Sequence, residues 1–227
     1  MVNLIIDTLS APRAALSQLR ERAPLWPPLL LVIGSATLLS AVYFNVVDPE
    51  FLTENILAQA GDDLSLEEER RIREFASDER PAGRWFPALG TAISTTVLLL
   101  LQSGYYTLVS MLAGFGVRAR QWLALVAWTS LPSVLAPIAG LTALALAPGF
   151  ELPLTDLNPL SFSSLLNLEP RRGALRLLGE IDLTLLWAFA LQVLGVHLWT
   201  GSGWEKSLLI AGAPYLLLGG IALAVAA

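Results

Sequence analysis

Two long apolar runs without a charged residue constrain the fold of this chain more than any other feature. One extends from Phe86 to Val117 and the other from Leu183 to Trp204. Each exceeds the ~18 residues that identify a candidate membrane helix. Of the 227 residues, 55% are hydrophobic and only 15% are charged, whereas ordinary soluble domains carry about 25% charged residues. The sequence therefore predicts a chain that folds in a lipid bilayer.

Five segments are near or above the ~20 residues that cross ~30 Å of hydrocarbon. They cover about residues 25–47, 85–112, 121–147, 181–199 and 207–226, of which the last is the most marginal. Together they form a predicted membrane domain of residues 25–227, which contains an acidic helical loop at 48–84 and a loop with surface-lying helices at 148–180. The predicted fold is an all-α, polytopic membrane helix bundle of about five transmembrane helices with an amphipathic N-terminal helix.

Residues 1–24 form an amphipathic segment ahead of the first span. Leu16 and Leu19 share one helical face, and arginines spread over the rest of the helix. This pattern leaves two interpretations open: an interfacial helix on anionic headgroups, or a short helix packed on the bundle. The arginines predicted to contact lipid headgroups are Arg13, Arg20, Arg22, Arg118 and Arg120. Their density in short segments favours a cytoplasmic N-terminus.

Three prolines lie inside predicted spans. Pro132 and Pro137 fall in the third span and Pro214 in the fifth. An interior proline removes a backbone hydrogen bond and costs roughly 3 kcal/mol in a helix in water. In a bilayer, nearby Ser and Thr hydroxyls and neighbouring helices can satisfy the freed carbonyl groups. We therefore expect the third span to be kinked or broken near its middle.

Polar side chains inside the predicted spans are few, and each is a functional candidate because burial in lipid is costly. The candidates are Gln102, Tyr105, Tyr106, Asp182, Gln192 and His197. Asp182 and His197 are about 22 Å apart along one helix, so they cannot share a proton directly. A structural interpretation is open for both: Asp182 at the water boundary, and His197 at the interface beside Trp199.

The residues that are absent argue against catalysis. The chain has no cysteine, one histidine, no HExxH motif and no phosphate-binding loop with its lysine. These absences predict no enzyme activity, no cofactor and no metal site. The net charge of −5 argues against nucleic acid as a partner. Two functions stay open: a scaffold that acts through lipid and protein contacts, and a small permease or channel whose path is lined by Gln102, Tyr105, Pro132, Asp182 and Gln192.

Three segments resemble the Yip domain family, the Ypt/Rab-interacting membrane proteins and their bacterial relatives. They are the N-terminal "SAPRAALSQLRERAPLWPPLLL", the central "GVRARQWLALVAWTSLPSVLAPIAGL" and the later "EIDLTLLWAFALQVLGVHLWTGSGWEKSL". Five spans in about 200 residues are a fourth point of similarity. The resemblance implies a cytoplasmic N-terminus, an outward C-terminus and a membrane-organising or scaffolding role.

The same resemblance implies partners and a location. Eukaryotic members bind small GTPases in vesicle traffic. Their long cytosolic arm is absent here, and "SGYYTL" is only loosely similar to their Tyr-Gly motif. We therefore do not expect small-GTPase binding. The expected partners are membrane lipids and other membrane proteins or a second copy, and the expected location is a bacterial or archaeal plasma (inner) membrane.

Overall fold

The computed structural model describes residues 2–22, 24–60, 65–76, 83–166, 168 and 181–226. In these residues the regular structure is helical, apart from one isolated β-bridge between Ser161 and Asp182. The α-helices are α1 (Val2–Ser10), α2 (Pro12–Glu21), α3 (Trp26–Val46), α4 (Pro49–Ala60), α5 (Leu66–Ala76), α6 (Phe86–Ala113), α7 (Ala119–Thr129), α8 (Leu135–Leu146), α9 (Phe162–Leu165), α10 (Leu183–Thr200) and α11 (Trp204–Ala226). The predicted all-α membrane bundle is confirmed.

Three helices in the described residues are long and apolar enough to cross a membrane: α3, α6 with the 3-10 turn before it, and α10. The bent pair α7 and α8 gives a fourth if it is counted as one span. The fifth predicted span coincides with α11, a 23-residue helix that contains Pro214. A crossing by α11 stays a prediction. Parts of both polar loops, at 61–64, 77–82, 167 and 169–180, lie outside the described residues.

The third predicted span is broken where the sequence places its prolines. Helices α7 and α8 meet at a bend of 43°, and Pro132 lies in the 3-10 turn between them. Pro137 falls in the first turn of α8, where its missing N–H would have no helical acceptor. The hydroxyls of Thr129, Ser130 and Ser133 donate to carbonyl oxygens three or four residues earlier at 2.7–2.8 Å. These hydroxyls give a second donor to backbone oxygens beside the break without water.

Helices α2, α6, α7 and α10 enclose a core of large aromatic side chains. Trp122, Trp199 and Tyr106 are each at most 1% exposed. Close approach of α10 to α7 depends on Gly195, because a Cβ at that position would clash with the side chain of Leu125. The close contact between α7 and α10 therefore follows from one residue without a side chain.

A second cluster closes the opposite end of the bundle. Tyr43 and Leu144 are buried there with Leu52 of α4, so the first helix of the acidic loop packs back onto the spans. The Tyr43 hydroxyl donates to the Leu152 carbonyl at 2.9 Å. Helix α5 is instead exposed, and it begins with the capping box in which Ser65 and Glu68 bond each other's backbone N–H at 3.3 and 3.0 Å.

The two ends of the bundle differ in charge. One end of the bundle contains α1, α2, the turn before α7 and the start of α11. Trp199, near the end of α10, donates to Leu16 of α2 there. This basic end carries six basic residues and three acidic ones: Arg13, Arg20, Arg22, Arg118, Arg120 and Lys206, with Asp7, Glu21 and Glu205. Helices α4 and α5 occupy the other, acidic end. The grouping of basic segments at one end is the arrangement on which the predicted orientation depends.

Candidate functional site

A cluster of four polar side chains lies inside the bundle, and we call it the glutamine–tyrosine cluster. It consists of Gln102 and Tyr106 of α6, Gln192 of α10 and Tyr215 of α11. The Oε1 atom of Gln192 accepts from the Tyr106 hydroxyl at 3.1 Å, from the Tyr215 hydroxyl at 3.0 Å and from the Gln102 amide at 3.0 Å. The Gln192 amide donates in return to Gln102 Oε1 at 3.2 Å. Four hydrogen bonds thus join three helices.

The cluster is closed to any other ligand at its centre. Gln192 is 1% exposed and Tyr106 is fully buried. A carbonyl oxygen has two lone pairs, and three donors already converge on Gln192 Oε1. Gln192 also lies near the middle of the 18-residue α10, so the cluster sits deep in the span. Its chemistry suits helix association, because bonds between polar side chains hold membrane helices together.

Aromatic rings extend the cluster towards the basic end. Tyr105 meets Tyr106 edge-on with ring centroids 5.3 Å apart. Tyr106 stacks on Trp122 at 5.3 Å, and Trp122 contacts Trp199 at 5.9 Å. The indole N–H of Trp122 is buried and has no acceptor within the described part of the chain. Offset and edge-on aromatic pairs add packing energy beyond that of simple burial.

Asp182 is a helix cap in this structure and lies apart from the cluster. Its Oδ1 accepts from the Leu185 backbone N–H and the Thr184 hydroxyl, both at 2.7 Å. Its Oδ2 accepts from the Asn158 amide at 2.8 Å. Along α10, Asp182 is about 15 Å from Gln192. The carboxylate therefore starts α10 and fastens the preceding loop to it, and its position at the water boundary stays a prediction.

His197 also lies outside the cluster, and its position at the membrane interface stays a prediction. Its ring stacks on Trp204, with centroids 4.1 Å apart and planes 15° apart. Its Nδ1 is 2.6 Å from the Ser202 carbonyl oxygen. Trp199 points elsewhere, to Leu16. The histidine therefore braces the turn between α10 and α11.

The amphipathic N-terminal segment packs on the bundle. Leu16 and Leu19 are fully buried. Three side chains of the bundle donate to carbonyl oxygens of this segment and its exit: Trp199 to Leu16 at 2.8 Å, Gln121 to Arg20 at 2.7 Å and Trp128 to Pro24 at 2.8 Å. Of the two interpretations, packing on the bundle holds for the apolar face. Arg13, Arg20 and Arg22 remain exposed on the other face.

An apolar groove of about 640 Å³ lies between α3 and α6, with one residue from α7. Helices α3 and α6 run antiparallel, so Trp26 at the start of α3 and Trp85 before α6 mark opposite ends of it. The lining is Trp26, Leu29, Leu30, Ile33, Gly34, Thr37, Leu38, Ala41, Trp85, Ala92, Thr96, Leu99, Leu100 and Leu123. None of these side chains is charged. A path for polar solutes would need a different lining.

The structure thus brings together Gln102, Tyr106 and Gln192, with Tyr105 beside them, and separates them from Asp182 and His197. Sequence reasoning missed Tyr215, although a tyrosine one residue after the proline of an apolar helix is a visible polar interruption. Among the described residues, no group of three or more His, Asp or Glu side chains is placed to hold a metal ion.

Comparison with known proteins gives the chain a family. It is 25% identical over 214 residues to the membrane protein YknW of Bacillus subtilis (strain 168), an alignment that covers 92% of this chain and 85% of that protein. No solved structure shows significant similarity. The model of the Yip1 domain matches residues 6–226, which is nearly the whole chain. The resemblance seen in the sequence is therefore confirmed, and the chain belongs to the Yip1 domain family of membrane proteins.

Proposed function

We propose that this protein organises the membrane without catalysing a reaction, by contacts with lipids and other membrane proteins at its two surfaces and along its span. One observation carries the proposal: the polar side chains inside the spans bond one another, while the groove between the helices is apolar. A protein built in this way presents its binding chemistry to lipid and to the membrane surfaces. Its interior supports the helices.

A small permease or channel is the second candidate. Polar residues at mid-depth and a bent span are features of transport paths, and both occur here. A path, however, needs polar groups facing water. Gln192 is 1% exposed and Asp182 is 8% exposed, and each is occupied by protein donors. The buried centre of the cluster and the capping role of Asp182 therefore favour the organising role.

The proposed location is a bacterial or archaeal plasma membrane, with the basic end in the cytoplasm. The rule that basic residues of short loops stay inside supports this orientation. The chain contains no cysteine, so single cysteines can be introduced without background. Ser17→Cys at the basic end and Leu66→Cys at the acidic end both replace exposed residues. An impermeant maleimide should label Leu66→Cys alone in intact cells, and labelling of Ser17→Cys alone would reverse the orientation.

Reconstitution of the purified full chain in sealed vesicles tests the choice between organiser and permease. We expect the flux of protons, potassium ions and small neutral solutes to equal that of protein-free vesicles. Copurification from native membrane should recover lipids or membrane proteins in constant ratio to the chain. Saturable uptake that disappears in both Gln192→Leu and Asp182→Asn would refute the organising role and establish a permease.

A further inference from the structure

We propose that the groove between α3 and α6 holds one acyl chain of an anionic phospholipid whose phosphate lies among the arginines of the basic end. The inference deepens the proposed organising role, on which it rests, by naming the lipid class and its site. Three independent features carry it: the shape of the groove, the tryptophans at its ends and the unequal charge around those ends.

The groove has the shape of a chain-like ligand. Its lining combines small residues of α3, such as Gly34 and Ala41, with leucines from α3, α6 and α7. A Cβ built on Gly34 meets no atom within 4 Å, so the helix surface is open at that point. From Trp26 to Ala41 the groove follows α3 for about 22 Å. This length exceeds half of the ~30 Å hydrocarbon core, so an acyl chain from one leaflet fits inside it.

Tryptophans mark where the groove meets the two membrane surfaces. Trp26 is 75% exposed and Trp85 is 57% exposed. Indole rings favour the headgroup level of a bilayer, where one edge is apolar and the other is hydrated. The two rings lie at opposite ends of an antiparallel helix pair. They therefore indicate that the groove between them crosses the hydrocarbon region. A headgroup bound to a chain in the groove then lies beside one of these rings.

Charge selects the Trp26 end. The side chain of Gln121 joins two arginine-bearing segments there, since it accepts from the Arg118 N–H at 2.9 Å and donates to the Arg20 carbonyl at 2.7 Å. Arg22 is four residues before Trp26. The exposed arginines at this end, none of which forms an ion pair with any residue the structure describes, are Arg13, Arg20, Arg22, Arg118 and Arg120. Arginine favours phosphate because its planar fork can donate two hydrogen bonds to it.

The Trp85 end has a different charge. Arg84 precedes Trp85, and Asp48 and Glu50 follow the end of α3. Both carboxylates are exposed, so they oppose an anionic headgroup at that end. An anionic lipid is therefore directed to the basic end, and a zwitterionic lipid gains less from it.

Native mass spectrometry of the full chain in detergent, titrated with phosphatidylglycerol or phosphatidylcholine, measures the site. We expect tighter binding of phosphatidylglycerol by about tenfold. The double variant Arg20→Gln, Arg118→Gln should remove most of that preference, because each basic residue near an anionic lipid changes affinity about fivefold. Arg71→Gln at the exposed acidic end is the matched control and should change nothing.

Variants that fill the groove distinguish lipid binding in the groove from ordinary lipid contact with the bundle surface. Gly34→Leu should weaken binding of both lipids by about tenfold, because leucine occupies space that methylene groups would otherwise contact. Gly104→Leu is the matched control: it makes the same change on α6 outside the groove lining, also with no atom within 4 Å of the new Cβ. Thr37→Leu provides a second filled groove if Gly34→Leu does not fold.

Several outcomes would overturn the site. Three of them are equal affinity for the two lipids, no effect of groove filling, and an equal effect of Gly104→Leu. The fourth is a wild-type dimer that Gly34→Leu converts to monomer, because that result would assign the groove to a second copy. None of these results bears on solute flux in vesicles. The lipid site and the proposed organising role can therefore fail separately.

Discussion

Gln192→Leu tests whether the glutamine–tyrosine cluster holds the helices together. Leucine is close to glutamine in size, so the change removes hydrogen bonds without opening a large cavity. It deletes the three bonds accepted by Gln192 Oε1 and the one donated by its amide. Such bonds between membrane helices average about 0.6 kcal/mol, with a maximum near 1.7. We therefore expect a loss of about 2.4 kcal/mol of unfolding free energy.

Equilibrium unfolding of the full chain in mixed micelles, followed by tryptophan fluorescence and circular dichroism, measures this loss. Gln18→Leu makes the same change at an exposed position of α2, and it should stay within about 0.5 kcal/mol of the parent. The comparison between the two glutamines separates the cluster from any general effect of leucine on micelle binding.

A mutant cycle shows whether the cost belongs to the hydrogen bonds. In a background with Tyr106→Phe and Tyr215→Phe, two of the four bonds are already absent. Gln192→Leu should then cost about 1.2 kcal/mol less than in the parent. If Gln192→Leu leaves stability unchanged, or costs the same in both backgrounds, the cluster does not stabilise the bundle and its polar groups must serve another purpose.

Three further predictions concern the docked N-terminal segment, the contact between α7 and α10, and the cap of α5. Trp199→Phe removes the hydrogen bond to the Leu16 carbonyl, so limited proteolysis should cleave α2 several times faster. Unchanged protection would mean that the apolar face of α2 alone holds the N-terminal segment on the bundle. Gly195→Ala places a Cβ against Leu125 and should cost about 1–3 kcal/mol; a neutral effect in the same unfolding assay would show that α7 and α10 pack loosely. Hydrogen bonds from the Ser65 hydroxyl and backbone N–H hold the pKa of Glu68 below its usual value. The stability that the Glu68 carboxylate adds to the cap is therefore fully present above pH ~4.3, its unfolded pKa. It is lost as the pH falls through the lower folded pKa. Amide-exchange protection at the start of α5, corrected for the intrinsic rate, should fall over that acidic range, and a pH-independent protection would contradict it.

The spans could be predicted because their signal is local. Helices α3, α6 and α10 begin within about two residues of the predicted boundaries, since uncharged apolar length alone marks a membrane helix. The break near Pro132 followed from the lost N–H of proline and the hydroxyls around it. The cap at Asp182 could also have been predicted, because an aspartate immediately before an apolar run is a helix-start signal.

The composition of the cluster could not be predicted from the same sequence. Gln102 and Gln192 were recognised as polar residues inside spans, but their pairing depends on how each helix is rotated about its axis. In α10 and α11 apolar residues surround the whole helix, so no amphipathic stripe fixes that rotation. The partnership with Tyr215 and the separation from Asp182 emerge only when three helices are packed.

A cluster with a buried centre, between two differently charged ends, limits where this protein can act. In the glutamine–tyrosine cluster the polar side chains of the spans bond one another. A binding partner in the hydrocarbon region therefore meets apolar side chains such as those of the groove. At the basic end, Arg13, Arg20 and Arg22 lie on a segment whose opposite face is fixed to the bundle through Leu16 and Arg20. Their position relative to the groove is therefore set by the fold, because the backbone that carries them is bonded to α7 and α10. A fixed spacing lowers the entropy cost of binding a phosphate and an acyl chain together, so the docked N-terminal segment supports the proposed lipid site in the groove.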